Sequence, residues 1–227
     1  MPEAESTTPL EGISGLLQWL KSRGSEISDQ ITFKNSPECG NTLGCFAKGD
    51  LCKGDLLFAI DLECILSIHQ LFASDLFQKM NAIDQNLFPN TLELQLWLFM
   101  IHQKHNSSGH FFPYLSSLSS VSPCPFEWPI DLLEALNGTN LESVFSDNAY
   151  NSNLSFINEF IRQFPEEFPS NFSALSSLKW AKGHYISRRY PNKYSLGVNI
   201  PHSAFEREHQ LDKIGALVPL LDILNHK

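Results

Sequence analysis

The spacing of apolar residues changes along the chain, and each change predicts a different kind of element. Near the start, ISGLLQWLKSRG carries its apolar residues at helical spacing and ends on Gly24, which predicts a short amphipathic helix closed by a glycine. Between residues 31 and 69 the apolar runs shorten to strand length and are separated by Gly and Asp, as in KGDLCKGD. We predict a loose tail over residues 1–11, the helix, and then a small, mostly β module.

The middle of the chain, from Leu71 to about Phe172, has the periodicity of helices. The segment LQLWLFMIHQKH is predicted to be one of them, with Asn90 and Glu93 forming a capping box at its start. Further helices are predicted at residues 130–136, 152–164 and 173–186. A short strand, YSLGVNI, and a final apolar run follow, so the order of elements predicts an α+β fold.

Composition and charge narrow the class of protein. Hydrophobic residues make up 42% and charged residues 18% of the 227 residues, which is enough apolar surface for a folded core and for helices that are apolar on all sides. The net charge of −9 argues against direct nucleic-acid binding and against an anionic membrane surface, and it favours a basic partner. The longest apolar run, TLELQLWLFMI, is too short to span a membrane.

The cysteines and the N-terminal residues bear on the compartment. The 5 cysteines form no CxxC pair, and they lack the spacing of a zinc site. The opening residues, MPEAESTTPLEG, are polar and acidic and do not have the pattern of a signal peptide. We therefore predict reduced thiols and a location in the cytoplasm, the nucleus or both.

Two sets of residues have spacings that a metal site could use. His102 and His105 lie three residues apart on a predicted helix, but no glutamate lies between them as in HExxH, and their polar surroundings are more typical of a solvated helix end. Asp222 and His226 lie four residues apart, with further histidines in the polar segment IPHSAFEREHQLDK. Neither set is a convincing ligand set, and we predict no metal.

Three further stretches could bind a ligand, and spacing alone leaves their role open. Arg188 and Arg189 could bind a carboxylate or phosphate, or they could complement a helix C-terminus, which the spacing favours. The segment GNTLG, residues 40–44, allows a close backbone approach but also makes an ordinary turn. Asn225 and His226 end an apolar run, where unpaired polar groups are costly, although an asparagine also ends helices.

Taken together, these stretches resemble the SET-domain methyltransferases of the Rubisco large-subunit methyltransferase type. GNTLGCFAKGDLCKGDLLFAID is similar to the opening Gly-rich strand pair, and HFFPYLSSLSSVSPCPFEW to the Pro-Tyr segment of the family's helical insertion. LKWAKGHYISRRY is similar to a helix that carries Trp-Ala and then Ser-Arg, and ALVPLLDILNH to an Asp-x-x-Asn-His motif. The resemblance runs from about Ile13 to His226, and the last motif and the distance from Trp180 to Arg188 are its specific part.

The resemblance implies a SET-domain β module that is split by a long helical insertion. It implies the N-terminal helix and first β module at residues 12–70, the insertion at 71–172 and the second SET part at 173–227. It also implies transfer of a methyl group from S-adenosyl-L-methionine to a lysine of a protein substrate, histone or non-histone. This chemistry needs no metal.

The resemblance also implies a set of cofactor-binding residues. Arg188 would pair with the carboxylate of S-adenosyl-L-methionine, the Gly-rich loop would contact the cofactor through its backbone, and the final motif would hold the adenine and ribose. The residues implied are Asn41, Thr42, Leu43, Arg188, Asp222, Asn225 and His226. Thr42 stands where the family has its first glycine, and its Cβ is expected to crowd the cofactor.

Members of the family continue beyond the Asn-His pair into a segment with a tyrosine that lines the methyl-transfer channel. That tyrosine has no counterpart before Lys227, so we expect the chain to be cut off within the domain, with the channel tyrosine beyond Lys227, and the catalytic residue stays unknown. The alternative is a catalytically inactive SET module that acts in binding or regulation. The sequence leaves open the substrate, lysine against histidine, the number of methyl groups and the oligomeric state.

Overall fold

The computed structural model describes residues 9–36, 42–88, 91–121, 124–125, 128–142, 150–169, 172–190 and 214–224. The α-helices in these ranges are α1 (Pro9–Ser22), α2 (Ile68–Phe72), α3 (Asp75–Asn81), α4 (Leu92–His105), α5 (Phe112–Ser117), α6 (Ile130–Glu134), α7 (Asn151–Gln163) and α8 (Ala174–Arg188). The strands are β1 (Glu26–Ile27), β2 (Ile31–Ser36), β3 (Thr42–Ala47) and β4 (Phe58–Ala59), and short 3-10 turns lie at Leu62–Cys64, Pro165–Glu167 and Leu221–Ile223. Helices and small sheets together confirm the predicted α+β class.

The N-terminal part forms the predicted β module, with two antiparallel pairs of strands. Strands β2 and β3 form a hairpin in which Ser36 lies opposite Thr42, while β1 pairs with β4. Helix α1 is followed by Gly24 at φ +90°, as predicted for a glycine after a helix end. The helix begins at Pro9, so the tail predicted through residue 11 is too long.

Helix α4 runs through the core and is apolar on all sides, as the composition predicted. Every residue from Leu94 to Ile101 is buried, including Gln95. The helix is capped by Thr91, whose Oγ1 accepts a hydrogen bond of 3.1 Å from the backbone N–H of Leu94. The capping box predicted at Asn90 is therefore wrong, because the helix starts one residue later.

The other predicted helices agree with the structure to within two residues at each end. Helix α7 was predicted at 152–164 and α8 at 173–186. Each of the two helices has one buried and one exposed side, and they pack on each other. Helix α8 also packs against α4, which places the end of α8 beside the core. None of the helices in the described ranges is long and apolar enough to cross a membrane.

The last described segment, residues 214–224, is held between two distant parts of the chain. Leu217 exchanges both backbone hydrogen bonds with Leu66, at 2.9 and 3.0 Å, and Ala216 does the same with Tyr190, at 2.8 Å each. The apolar run around Leu66, predicted as a strand, makes only this isolated bridge among the described residues. The predicted strand YSLGVNI lies outside the described residues.

Candidate active site

The described part of the structure brings together predicted site residues from three distant segments. Leu43 lies on β3, Arg188 at the end of α8, and Asp222 in the 3-10 turn at Leu221–Ile223, which lies beside β3. For Thr42 the structure describes the backbone, so the expected crowding by its Cβ stays a prediction. The other predicted site residues, Asn41, Asn225 and His226, lie outside the described residues.

Arg188 and Asp222 form the centre of this arrangement. The Nη1 group of Arg188 donates to the Asp222 carboxylate at 3.1 Å and to the Asp222 backbone carbonyl at 3.2 Å. The Asp222 side chain is only 1% exposed, and the Arg188 side chain is 23% exposed. The guanidinium therefore reaches from the buried carboxylate toward the surface, and the pair is shielded enough for its charge interaction to be strong.

His184 holds the other side of the same guanidinium. The Nε–H of Arg188 donates to Nδ1 of His184 at 3.3 Å, and the other ring nitrogen, Nε2, lies 2.9 Å from the carbonyl oxygen of Ser119. A carbonyl only accepts and Nε–H only donates, so the two partners fix the neutral tautomer with its proton on Nε2. Burial first, and then the charge of Arg188, lowers the pKa of His184 to about 3.

The hydrogen-bond partners of Arg188 leave one nitrogen of its guanidinium available. Nε and Nη1 are engaged, whereas the two N–H groups of Nη2 have no partner among the described residues. A charged N–H group of this kind donates strong hydrogen bonds to a carboxylate or phosphate. The site can thus hold an anion beside the 3-10 turn that carries Asp222.

Tyr114 joins this site from α5, in the Pro-Tyr segment, although the sequence assigned it no role. Its hydroxyl donates to the Asp222 carboxylate oxygen that also accepts from Arg188, at a distance of 2.8 Å. Tyr114 is fully buried, and burial raises its pKa well above the ordinary value. Burial also raises the pKa of Asp222, and the bonds from Arg188 and Tyr114 counteract this in part.

The turn that carries Asp222 is strained. Leu220 has φ +68° and ψ −38°, and it is the only residue other than glycine with a positive φ in the described ranges. Such a conformation costs roughly 1–3 kcal/mol and persists only where the surroundings enforce it. The Tyr190 hydroxyl bonds the Leu221 carbonyl at 2.9 Å, and Leu220 itself is buried, so the turn is fixed from both sides.

The two residue sets that were weighed as metal ligands have other partners in the structure. His102 is not at a solvated helix end, because its Nε2 lies 2.9 Å from Glu167, which also pairs with Lys79. Burial lowers the pKa of His102 and outweighs the opposite effect of Glu167. Asp222 is bonded to Tyr114 and Arg188, and within the described ranges no three His, Cys, Asp or Glu residues could hold a metal ion.

Known structures share this architecture. The SET domain of LSMT bound to lysine and AdoHcy superposes with a TM-score of 0.73 at 17% identity, over 97% of this chain and 45% of that one. The fold is that of a SET domain. Rubisco LSMT bound to AdoMet gives a TM-score of 0.71 at 18% identity, over 95% of this chain and 45% of that one. The predicted SET-domain fold is thereby confirmed.

Sequence similarity leads to the same group of proteins. N-lysine methyltransferase setd6 of Xenopus tropicalis is 27% identical over 139 residues, which cover 60% of this chain and 30% of that protein. Mouse SETD6, also an N-lysine methyltransferase, is 26% identical over 153 residues, 65% of this chain and 32% of that protein. No protein-family model matches the chain. The chain thus resembles SET-domain lysine methyltransferases and spans just under a third of the length of these curated relatives.

Proposed function

We propose that this chain provides the S-adenosyl-L-methionine site of a SET-domain protein-lysine methyltransferase. The observation that carries the proposal is Nη2 of Arg188, which has no partner among the described residues, on a guanidinium whose other two nitrogens are held beside the 3-10 turn. The amino acid part of the cofactor ends in a carboxylate, which accepts strong hydrogen bonds from a charged N–H group. The residue is also the one that the sequence motif marked for this role.

The residues present fit this cofactor. Gly44 lies on β3 next to Leu43, where the resemblance puts a glycine of the cofactor loop, and it adds no side chain there. Asp222 keeps the positive charge of Arg188 compensated before any ligand binds. When bound, S-adenosyl-L-methionine supplies an activated methyl group, and the chain's contribution is to bind and orient it. Asn41, Thr42, Asn225 and His226 complete the proposed binding set.

The substrate class follows from the relatives and the charge. The frog and mouse relatives are named N-lysine methyltransferases, and the structural neighbour was solved with lysine bound, which supports a protein lysine as acceptor. The net charge of −9 supports a basic segment around that lysine, as in histone tails. Within this group we assign the chain to the branch of SET domain-containing protein 4, on its Gly-rich, Trp-Ala and Asn-His motifs.

A cytoplasmic or nuclear location is part of the proposal. The described cysteines, Cys45, Cys52, Cys64 and Cys124, form no disulfide, which supports a reducing compartment. Localisation of a tagged protein in cells, scored against cytoplasmic and nuclear markers, tests this assignment. A signal confined to a secretory compartment would contradict it.

The adjacent arginines allow a matched test of cofactor binding. Arg189 pairs with Glu93 at 2.7 Å, and both side chains are more than one-third exposed, so this is a surface ion pair. Calorimetric titration with S-adenosyl-L-methionine is expected to show binding by the wild type and by Arg189→Lys. Arg188→Lys keeps the positive charge but loses the planar guanidinium, and we expect its affinity for S-adenosyl-L-methionine to fall about tenfold.

Two results would count against the proposal. Equal affinities for Arg188→Lys and Arg189→Lys would remove Arg188 from the cofactor site. No binding of S-adenosyl-L-methionine by the wild-type chain would contradict the proposed site altogether. A separate assay measures transfer of labelled methyl groups to a mixture of histones, with a lysine-free protein as the control substrate; transfer would contradict the alternative, a binding or regulatory SET module.

A further inference from the structure

Building on the proposed function, we propose that Tyr114 and His184 are positioning residues that fix the orientation of the Arg188 guanidinium. Neither residue offers a group to the cofactor: both are fully buried, and their polar atoms are bonded to protein partners. Each acts on Arg188 from a different direction, Tyr114 through Asp222 and His184 directly. The result is one fixed direction for the Nη2 group of Arg188.

The contact through Asp222 depends on the Tyr114 hydroxyl. One carboxylate oxygen accepts from both Tyr114, at 2.8 Å, and Arg188, at 3.1 Å, while the other oxygen is buried without a hydrogen-bond partner in the described part of the chain. A carboxylate that is 1% exposed needs donors to stay ionised and in place. Removing the hydroxyl leaves Arg188 as the only side-chain donor among the described residues.

The contact through His184 depends on its neutral ring. The carbonyl oxygen of Ser119 accepts a hydrogen bond from Nε2 of His184 and another from Nε1 of Trp180, each at 2.9 Å. The first of these bonds fixes the orientation of the His184 ring on α8. The remaining nitrogen, Nδ1, is then an acceptor aimed at the Nε–H of Arg188. The imidazole therefore acts as a fixed acceptor, a role that a leucine at this position would lose and a glutamine would keep.

The two contacts act on different nitrogens of one rigid plane. Because Nε is held by His184 and Nη1 by Asp222, rotation of the guanidinium would break at least one of the bonds. A guanidinium that is already fixed in place loses less entropy when it binds a carboxylate than a freely rotating guanidinium does. Arg189 contacts Glu93 and Tyr185, but its side chain is 38% exposed against 23% for Arg188, and its ion pair lies at the surface. The buried anchoring by a carboxylate and an imidazole is therefore a feature of Arg188.

The first test uses the ligand-free chain. Hydrogen exchange of the Arg188 Nε–H is followed by NMR, with the signal assigned by its loss in Arg188→Lys. We expect exchange about fivefold faster in Tyr114→Phe and in His184→Leu, because each loses one hydrogen bond that holds the group. His184→Gln should restore slow exchange. Tyr190→Phe is the matched control, since its hydroxyl bonds the Leu221 carbonyl in the same turn and not the Asp222 side chain.

The second test compares two ligands. S-adenosylhomocysteine carries the carboxylate, and 5′-methylthioadenosine lacks the whole amino acid part. We expect Tyr114→Phe and His184→Leu to weaken S-adenosylhomocysteine about fivefold and to leave 5′-methylthioadenosine unchanged. A merely structural role would weaken both ligands alike, and that result would overturn the assignment.

The two measurements separate failure of this inference from failure of the proposed function. A wild-type chain that binds neither ligand would contradict the proposed cofactor site, whatever the exchange rates are. A wild-type chain that binds both ligands, with the same ratio of affinities in every variant, would overturn only the positioning role. Exchange of the Arg188 Nε–H at one rate in the wild type, Tyr114→Phe and His184→Leu would overturn it as well.

Discussion

Acid is expected to destabilise this protein through His184. The ring is fully buried, its Nε2–H donates to Ser119 and its Nδ1 accepts from Arg188. A second proton on Nδ1 would break the bond to Arg188 and place two positive charges side by side, away from water. This is why the pKa of His184 falls from 6.5 to about 3 in the folded protein.

The sign and size of the effect follow from this difference in pKa. Below pH 6.5 the unfolded chain binds a proton at His184 and the folded chain does not. The contribution of His184 to the free energy of unfolding is therefore complete above pH 6.5 and is lost as the pH falls toward 3. One pKa unit corresponds to about 1.4 kcal/mol. The full effect is therefore about 5 kcal/mol, and roughly half of it is lost between about pH 7.5 and about pH 4.5.

The assay is urea unfolding of the wild type and of His184→Gln, followed by tryptophan fluorescence. Glutamine offers a donor and an acceptor but does not titrate in this range, so it removes the proton uptake and keeps the contacts. All other residues are the same in the two proteins, so their contributions cancel in the difference. We expect the free energy of unfolding of the wild type, relative to that of His184→Gln, to fall by roughly 2–3 kcal/mol between about pH 7.5 and about pH 4.5. A difference that stays constant across this range would refute the neutral, buried histidine.

Two further perturbations test the surroundings of the site. Gly215→Ala should lower the free energy of unfolding, measured by thermal denaturation, by about 1–3 kcal/mol, because a Cβ there would lie 2.7 Å from the Tyr190 carbonyl oxygen. Gly15→Ala is the control: a Cβ at Gly15 would have nothing within 4 Å, so this variant should not lower the free energy of unfolding. An equal loss in both variants would contradict the close approach. Glu167→Gln should lower the pKa of His102 further in an NMR titration, since Glu167 raises it now, and an unchanged pKa would show that the pair does not form.

The helical parts of the fold were predictable because their signals are local. The apolar run that became α4, the amphipathic pattern of α7 and the glycine after α1 each specify one element through neighbouring residues. Local signals do not fix the exact ends of a helix. The cap of α4 was predicted at Asn90 and is Thr91 in the structure, because both residue types can cap a helix. The run around Leu66 pairs with Leu217, far along the chain, so its partner could not be predicted from neighbouring residues.

The site was predictable only in part. Arg188 and Asp222 were found through motifs, and the structure joins them at 3.1 Å. Tyr114 and His184 were missed, because a lone tyrosine or histidine on an apolar helix is usually a core residue and nothing in its neighbourhood distinguishes it. Tyr114 lies 108 residues before Asp222, and His184 lies 65 residues after Ser119. Contacts over such distances leave no periodic pattern in the sequence.

By itself, the amino-acid sequence determined which segments are helical or extended and which residues carry a motif, since backbone propensity and the spacing of apolar side chains act over a few residues. Tertiary structure decided what those motif residues do. Burial keeps the Asp222 carboxylate out of water and holds His184 neutral, and the meeting of α5, α8 and the final 3-10 turn leaves Nη2 of Arg188 without a partner among the described residues. Charge state and orientation depend on surroundings that only the folded chain creates.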